Sequence, residues 1–141
     1  MAFFSASDAI DPKVLMALKT GLHRDAEEKL APPYIETPLS ILAHDDNGAL
    51  SGGLTGKTVW NWLYIDILWV DKEKRAKGLG SDLVTRAEAL ALTRGCHSSY
   101  LWTESYQAPE FYKKLGYQQF AVNEDFPVGY RRIGFMKRLA A

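Results

Sequence analysis

The stretch that most constrains this chain begins at residue 59. From 59 to 70 nearly every position is β-branched, aromatic or aliphatic, and neither Gly nor Pro occurs. Such a run reads as one long central strand. A short charged loop follows, Arg75-Ala76-Lys77-Gly78-Leu79-Gly80, and the apolar period then changes. Leu79, Leu83, Ala87, Leu90 and Ala91 fall on one face of a 3.6-residue repeat, which predicts a helix. Asp82 suits its first turn, Arg94 its last, and Gly95 its left-handed exit. A strand, a charged glycine loop and an amphipathic helix therefore follow one another directly.

The remaining segments arrange themselves around this unit. Pro12 after Asp11 opens a helix over 12–30, with Val14, Leu15, Leu18 and Leu22 at helical spacing, and Pro32-Pro33 stops it. Asn47-Gly48 between apolar runs at 39–44 and 49–54 predicts a hairpin. A strand is expected over 98–104 and a short helix over 108–115, ended by Gly116. Closing strands are expected over 117–122 and 130–139, with Phe126-Pro127-Val128-Gly129 as their turn. This order predicts a single α/β (α+β) domain built on a mixed central sheet over 1–141.

Composition excludes several classes. At 141 residues, 47% apolar and 24% charged, the chain can bury a core without staples. Its formal net charge of zero argues against a nucleic-acid partner. The lone Cys96 permits no disulfide within the chain, and at a helix-to-strand junction it reads as a buried structural thiol. His23, His44 and His97 lack metal-ligand spacing, so no metal is expected. The first residues do not resemble a signal peptide and no apolar run spans a membrane. The expectation is a cytoplasmic protein with no membrane partner.

The loop at 75–80 has the makings of an anion site. Gly78 and Gly80 permit close backbone approach, and the first N–H groups of the following helix have no intrahelical partner. Arg75 and Lys77 add positive charge. Two rival phosphate motifs fail. Gly56-Lys57-Thr58 resembles the end of a Walker A loop, but Ser51 occupies the required glycine position and a strand follows. A dinucleotide fingerprint would need glycine at Leu83.

Leu68-Trp69-Val70 followed by Arg75, Gly78 and Gly80 resembles the cofactor motif of the GNAT N-acetyltransferase superfamily. The run from Ala108 to Tyr117, with Pro109, Phe111, Tyr112, Leu115 and Gly116, is similar to that superfamily's later helix motif. The resemblance covers roughly residues 39–139. It implies a sheet of about six or seven strands with a bulged, splayed central strand and flanking helices. It implies acetyl-CoA as acyl donor, with the pantetheine arm paired to the backbone of Leu68, Trp69 and Val70. Arg75, Ala76, Lys77, Gly78, Leu79, Gly80 and Ser81 would hold the pyrophosphate, and Ser105, where the family often has Asn, would bond the pantetheine. Tyr112 aligns with the general acid that protonates the departing thiolate. Position 72 is Lys72, where the family often has Pro.

The chemistry then makes its own demands. An alkylamine must lose a proton before attack, which costs roughly 4–5 kcal/mol near pH 7 from a pKa of about 10.4. A base is therefore expected, and Asp66 within its apolar run and Glu104 at the end of the next strand are the candidates. Burial of Asp66 would raise its pKa toward the working range. A backbone N–H at the bulge would serve the oxyanion. Trp60, Trp62 and Trp102 are candidates for the acceptor wall, with Phe126 at its border, although packing accounts better for any single Trp. The leading expectation is acetylation of a small primary amine by direct attack. A non-catalytic acyl-CoA sensor of the same fold is the alternative, and an ATP- or NAD-binding enzyme a third. The closing strands make a homodimer plausible.

Overall fold

The computed structural model describes residues 1–140. Two compact units appear, 1–34 and 35–141. The first holds one helix, α1 (Pro12–Glu28). Asp11 caps it, its carboxylate accepting from Lys13 N at 2.9 Å, and Pro12 takes the first helical position, where no N–H is required. Val14, Leu15, Leu18 and Leu22 are exposed on it.

The second unit is a six-stranded sheet with two helices: β1 (Thr37–His44), β2 (Leu50–Val59), β3 (Trp62–Val70), α2 (Leu79–Thr93), β4 (Ser98–Glu104), α3 (Pro109–Lys114), β5 (Gln118–Glu124) and β6 (Arg131–Arg138). The strand order is β1-β2-β3-β4-β6-β5, with β3 and β4 parallel and every other pair antiparallel. This is the mixed α/β sheet expected, at six strands.

The run 59–70 is not one strand. Trp60 and Asn61 have φ of 47° and 66°, so the chain reverses between Val59 and Trp62 in a two-residue turn. Both central residues at positive φ are what a type I′ hairpin needs. No glycine announces the turn. Asn61 is instead held from outside, donating from Nδ2 to Gly95 O at 2.9 Å and accepting from His97 N at 2.9 Å. The expected 45–48 turn does form, with Asp45 Oδ1 accepting from Asn47 N and Ala49 N, and Gly48 at φ 81°.

Alternation on β3 builds the core. Leu63 and Ile65 face α2 and meet Leu83, Val84 and Ala87, with Leu101, Ile133 and Phe135 from the neighbouring strands. Both helices that follow end alike. Cys96 N reaches Ala91 O and Gly95 N reaches Leu92 O, while Tyr117 N reaches Tyr112 O and Gly116 N reaches Lys113 O. These are Schellman closures through left-handed glycines. Glu88 ties α2 to the sheet, meeting Lys137 Nζ at 3.0 Å and Tyr117 Oη at 2.9 Å.

Candidate active site

The site begins as a fault in the sheet. Ile65 pairs with Gly56 and Ile67 with Thr55, so Asp66 has no opposite residue on β2. It is the extra residue of a β-bulge. Gly56 makes the bulge possible. A Cβ there would run into the carbonyl oxygen of Tyr64 and lie 3.3 Å from Ile65 Cα. On the other side, β3 pairs with β4 only as far as Ile65 and Leu101. Beyond that point the strands separate, and the β4-facing backbone edge from 66 to 70 has no ladder partner.

A cleft of about 890 Å³ opens in this gap. Asp66, Ile67, Leu68, Trp69 and Val70 form one wall, and Trp102, Thr103, Gln107 and Tyr112 the other. Arg75, Ala76, Gly78, Leu79, Gly80 and Ser81 close its end. Ala76 and Gly78 both have positive φ, 62° and 81°, which curls the backbone ahead of α2. Gly78 is the N-cap and offers no side chain. Asp82 N is the first to bond back, to Gly78 O at 3.0 Å, so the N–H groups of Leu79, Gly80 and Ser81 precede the helical ladder. A Cβ at Gly80 would lie 3.3 Å from the Phe111 ring, so glycine lets α2 and α3 approach here. Arg75 folds back, its Nε donating to Val70 O at 3.0 Å.

Tyr112 sits in the cleft wall, only 8% exposed. Its ring packs on Phe111, Tyr117 and Phe135 at centroid distances of 5.1, 6.1 and 6.0 Å. Burial pushes its phenol up to about 12, so it holds its proton across the physiological range. Asp66 is exposed, and the burial expected from its apolar neighbours is absent because the bulge turns it out of the core. It lines the cleft and also a second cavity of about 200 Å³, shared with Thr55, Gly56, Lys57 and Tyr64. The Tyr64 phenol is raised, first by burial and then by the charge of Asp66.

Several expected residues lie elsewhere. Trp60 and Trp62 stand at the N-terminal end of β3, away from the cleft, where Trp62 packs edge-on against His97 and Tyr100. Ser105 and Lys77 are not among the cleft residues. Ser105 extends the β4–β6 ladder, its Oγ accepting from Arg131 N at 2.9 Å. Glu104 and Phe126 flank Arg132 instead: Glu104 is its cross-strand partner, and the Phe126 ring lies 5.4 Å from its guanidinium. Gln107 had no signal in the sequence, yet it lines the cleft, with Oε1 accepting from Thr103 Oγ1 and Glu104 N. Gly56 did have one, since a strand-interior glycine marks a bulge or a close backbone approach.

Residues 13–117 match the model of the acetyltransferase (GNAT) family. The chain belongs to this family. Blasticidin-S acetyltransferase of Streptomyces morookaense is 47% identical over 102 residues, covering 69% of this chain and 75% of that protein. An acetyltransferase of Agrobacterium fabrum is 34% identical over 56% of this chain and 58% of its own length. The crystal structure of an acetyltransferase from Bacillus cereus superposes with a TM-score of 0.85 at 32% identity, covering 95% of this chain and 97% of that one.

GNAT acetyltransferases use acetyl-CoA, and the cleft fits it. The curled backbone at 76–81 and the open N-terminus of α2 suit a pyrophosphate. The unpaired edge of β3 suits an extended, amide-bearing arm. Among the described residues no cluster of His, Cys, Asp and Glu could hold a metal ion, and no helix is long and apolar enough to cross a membrane.

Proposed function

We propose that this GNAT acetyltransferase acetylates a primary amine of a small molecule by direct attack, with Asp66 as base and Tyr112 assisting the departing thiolate. One observation supports this above the rest: a single carboxylate, Asp66, lines both the cleft and a separate cavity beside it. An amine entering by the second cavity would meet a base before it met the thioester. The relative that acts on blasticidin S makes a small-molecule acceptor the first choice.

Bound acetyl-CoA supplies an activated acetyl group and a thiolate leaving group. The chain does the rest. Leu79, Gly80 and Ser81 offer backbone N–H groups to the pyrophosphate, and Arg75 adds charge beside them. Backbone N–H groups along the free edge of β3 would be placed to donate to an acyl carbonyl oxygen there. Asp66 would accept the ammonium proton directly or through a water, and the second nitrogen proton, acidified once the C–N bond forms, would pass to the departing sulfur to give the free CoA thiol. Tyr112 donates a hydrogen bond toward the sulfur. A phenol raised to about 12 is a reluctant proton donor to a thiolate, since thiols are the stronger acids, a cysteine thiol having a pKa of about 8.5. Its work is therefore to stabilise the developing charge rather than to surrender its proton outright.

The test is release of free CoA thiol from acetyl-CoA with a panel of amines that includes blasticidin S, simple alkylamines and a lysine peptide. Turnover confined to small amines is expected. Acetyl-CoA binding without turnover on any amine would favour a non-catalytic sensor of the same fold.

A further inference from the structure

The last residue of β4, Glu104, lies beyond the point where pairing with β3 stops, at Ile65 and Leu101. Its neighbour Ser105 donates its backbone N–H to Arg131 O, toward β6, at 2.7 Å. Successive residues of a strand turn their peptide groups to opposite edges, so the N–H and C=O of Glu104 face the gap that β3 has left. Gln107 answers both. Its backbone N–H donates to Glu104 O at 3.0 Å, and its side-chain Oε1 accepts from Glu104 N at 2.9 Å. One glutamine thus pairs with Glu104 as a residue of the departed strand would.

That pairing also fixes which way the carboxamide is turned. A backbone N–H can only donate, so the side-chain atom it meets is the oxygen and not the nitrogen. Buried Thr103 donates its Oγ1 proton to the same Oε1 at 2.8 Å. With the oxygen held twice from β4, the nitrogen is the branch left to the cleft, which Gln107 lines across from β3. Neither N–H of this nitrogen meets a partner among the described residues. Ser105, expected to bond the cofactor's arm, is turned to β6 and is not among the cleft residues.

We propose that Gln107 is a cofactor-binding residue, its Nε2 donating to an amide carbonyl of the acetyl-CoA arm. This rests on the reading of the cleft as the acetyl-CoA site. A trans amide carries its N–H and C=O on opposite sides. An arm amide whose N–H pairs with a carbonyl on the free edge of β3 turns its own C=O toward β4. There the N–H of Glu104 is already taken, and the Gln107 carboxamide offers a donor in its place. The arm is then held between two edges, one of backbone and one of a side chain, as a strand is held between two neighbours. Without that donor the arm carbonyl would give up water for nothing.

Two ligands and two variants test this by calorimetry on the full chain. The ligands are CoA and adenosine 3′-phosphate 5′-diphosphate, which keeps the nucleotide and pyrophosphate and lacks the arm. Gln107→Glu retains an oxygen for Glu104 N and Thr103 and replaces the donor with a second acceptor. Gln107→Met removes both functions without adding charge. The Kd for CoA is expected to rise about tenfold or more in each variant, as when one partner of a hydrogen bond is removed. The Kd for the armless nucleotide is expected to stay within about twofold of wild type. A CoA Kd within about twofold of wild type in both variants overturns the assignment. So does a loss confined to Gln107→Glu, which would be an effect of charge alone. Equal weakening of the two ligands overturns it as well, since the change would then lie at the pyrophosphate or in the whole cleft. Failure of the wild-type chain to bind CoA at millimolar concentration would instead refute the acetyl-CoA reading, and the role of Gln107 with it.

Discussion

Replacing Tyr112 with Phe removes one oxygen from the cleft wall and leaves the ring. That ring carries the packing, on Phe111, Tyr117 and Phe135, while its hydroxyl bonds to none of the described residues. Near pH 7 the variant is expected to match wild type in stability within about 1 kcal/mol. The difference should appear in alkali. The buried phenol is raised from 10 to about 12. An unfolded chain loses that proton near pH 10, whereas the folded one retains it. The unfolded state then binds fewer protons, so wild-type stability is complete below pH 10 and falls between 10 and 12. At about 1.4 kcal/mol per unit, the loss from this group approaches 3 kcal/mol. Tyr117, raised in the same direction by burial, stays in both proteins and cancels. Denaturant midpoints measured from pH 8 to 12 should therefore diverge above pH 10, with Tyr112→Phe the less sensitive. Superimposable curves would refute the burial argument. In the thiol-release assay the variant loses one hydrogen bond to a developing charge, worth about 1.5–3 kcal/mol, or roughly 10- to 150-fold in kcat. Unchanged kcat would remove Tyr112 from the mechanism. No limb from Tyr112 is expected in the pH–rate profile between 6 and 10.

Two further substitutions probe the fault in the sheet. Gly56→Ala places a methyl group against the Tyr64 carbonyl, a backbone atom that no rotamer change can move aside. It should destabilise the domain by about 1–3 kcal/mol and raise the acetyl-CoA KM, because β3 must shift where the cleft begins. Chemical denaturation and saturation kinetics that match wild type would count against the bulge as the origin of the cleft. Asp66→Asn keeps the shape and removes the base, and should lower kcat/KM by about 10²- to 10⁴-fold at neutral pH. The deficit should shrink as pH rises toward the amine's own pKa. Wild-type kcat/KM at pH 7 would shift the base to another group.

Part of the cleft's lining is legible in the sequence. Arg75 to Gly80 between a strand and an amphipathic helix predicts an anion-binding turn, and the family resemblance of the helix carrying Tyr112 implies an acyl-CoA cleft. The 45–48 hairpin and the exits at Gly95 and Gly116 are legible for the same reason. Each is decided by a few neighbouring residues: a side chain that bonds its own turn, a glycine that accepts positive φ, a period of 3.6. What the sequence left open is non-local. The turn at Trp60-Asn61 exists because Gly95 and His97 hold Asn61, and neither lies within thirty positions of it in the chain. Asp66 leaves the core because Gly56, on another strand, cannot carry a side chain beneath Tyr64. Glu104 meets Arg132 only through the register of β4 against β6. Sequence alone thus determined most of the elements and the turn ahead of α2, since those follow from local conformational preference. Tertiary structure decided which carboxylate and which aromatic side chains line the cleft, since strand register is set by packing across the whole sheet.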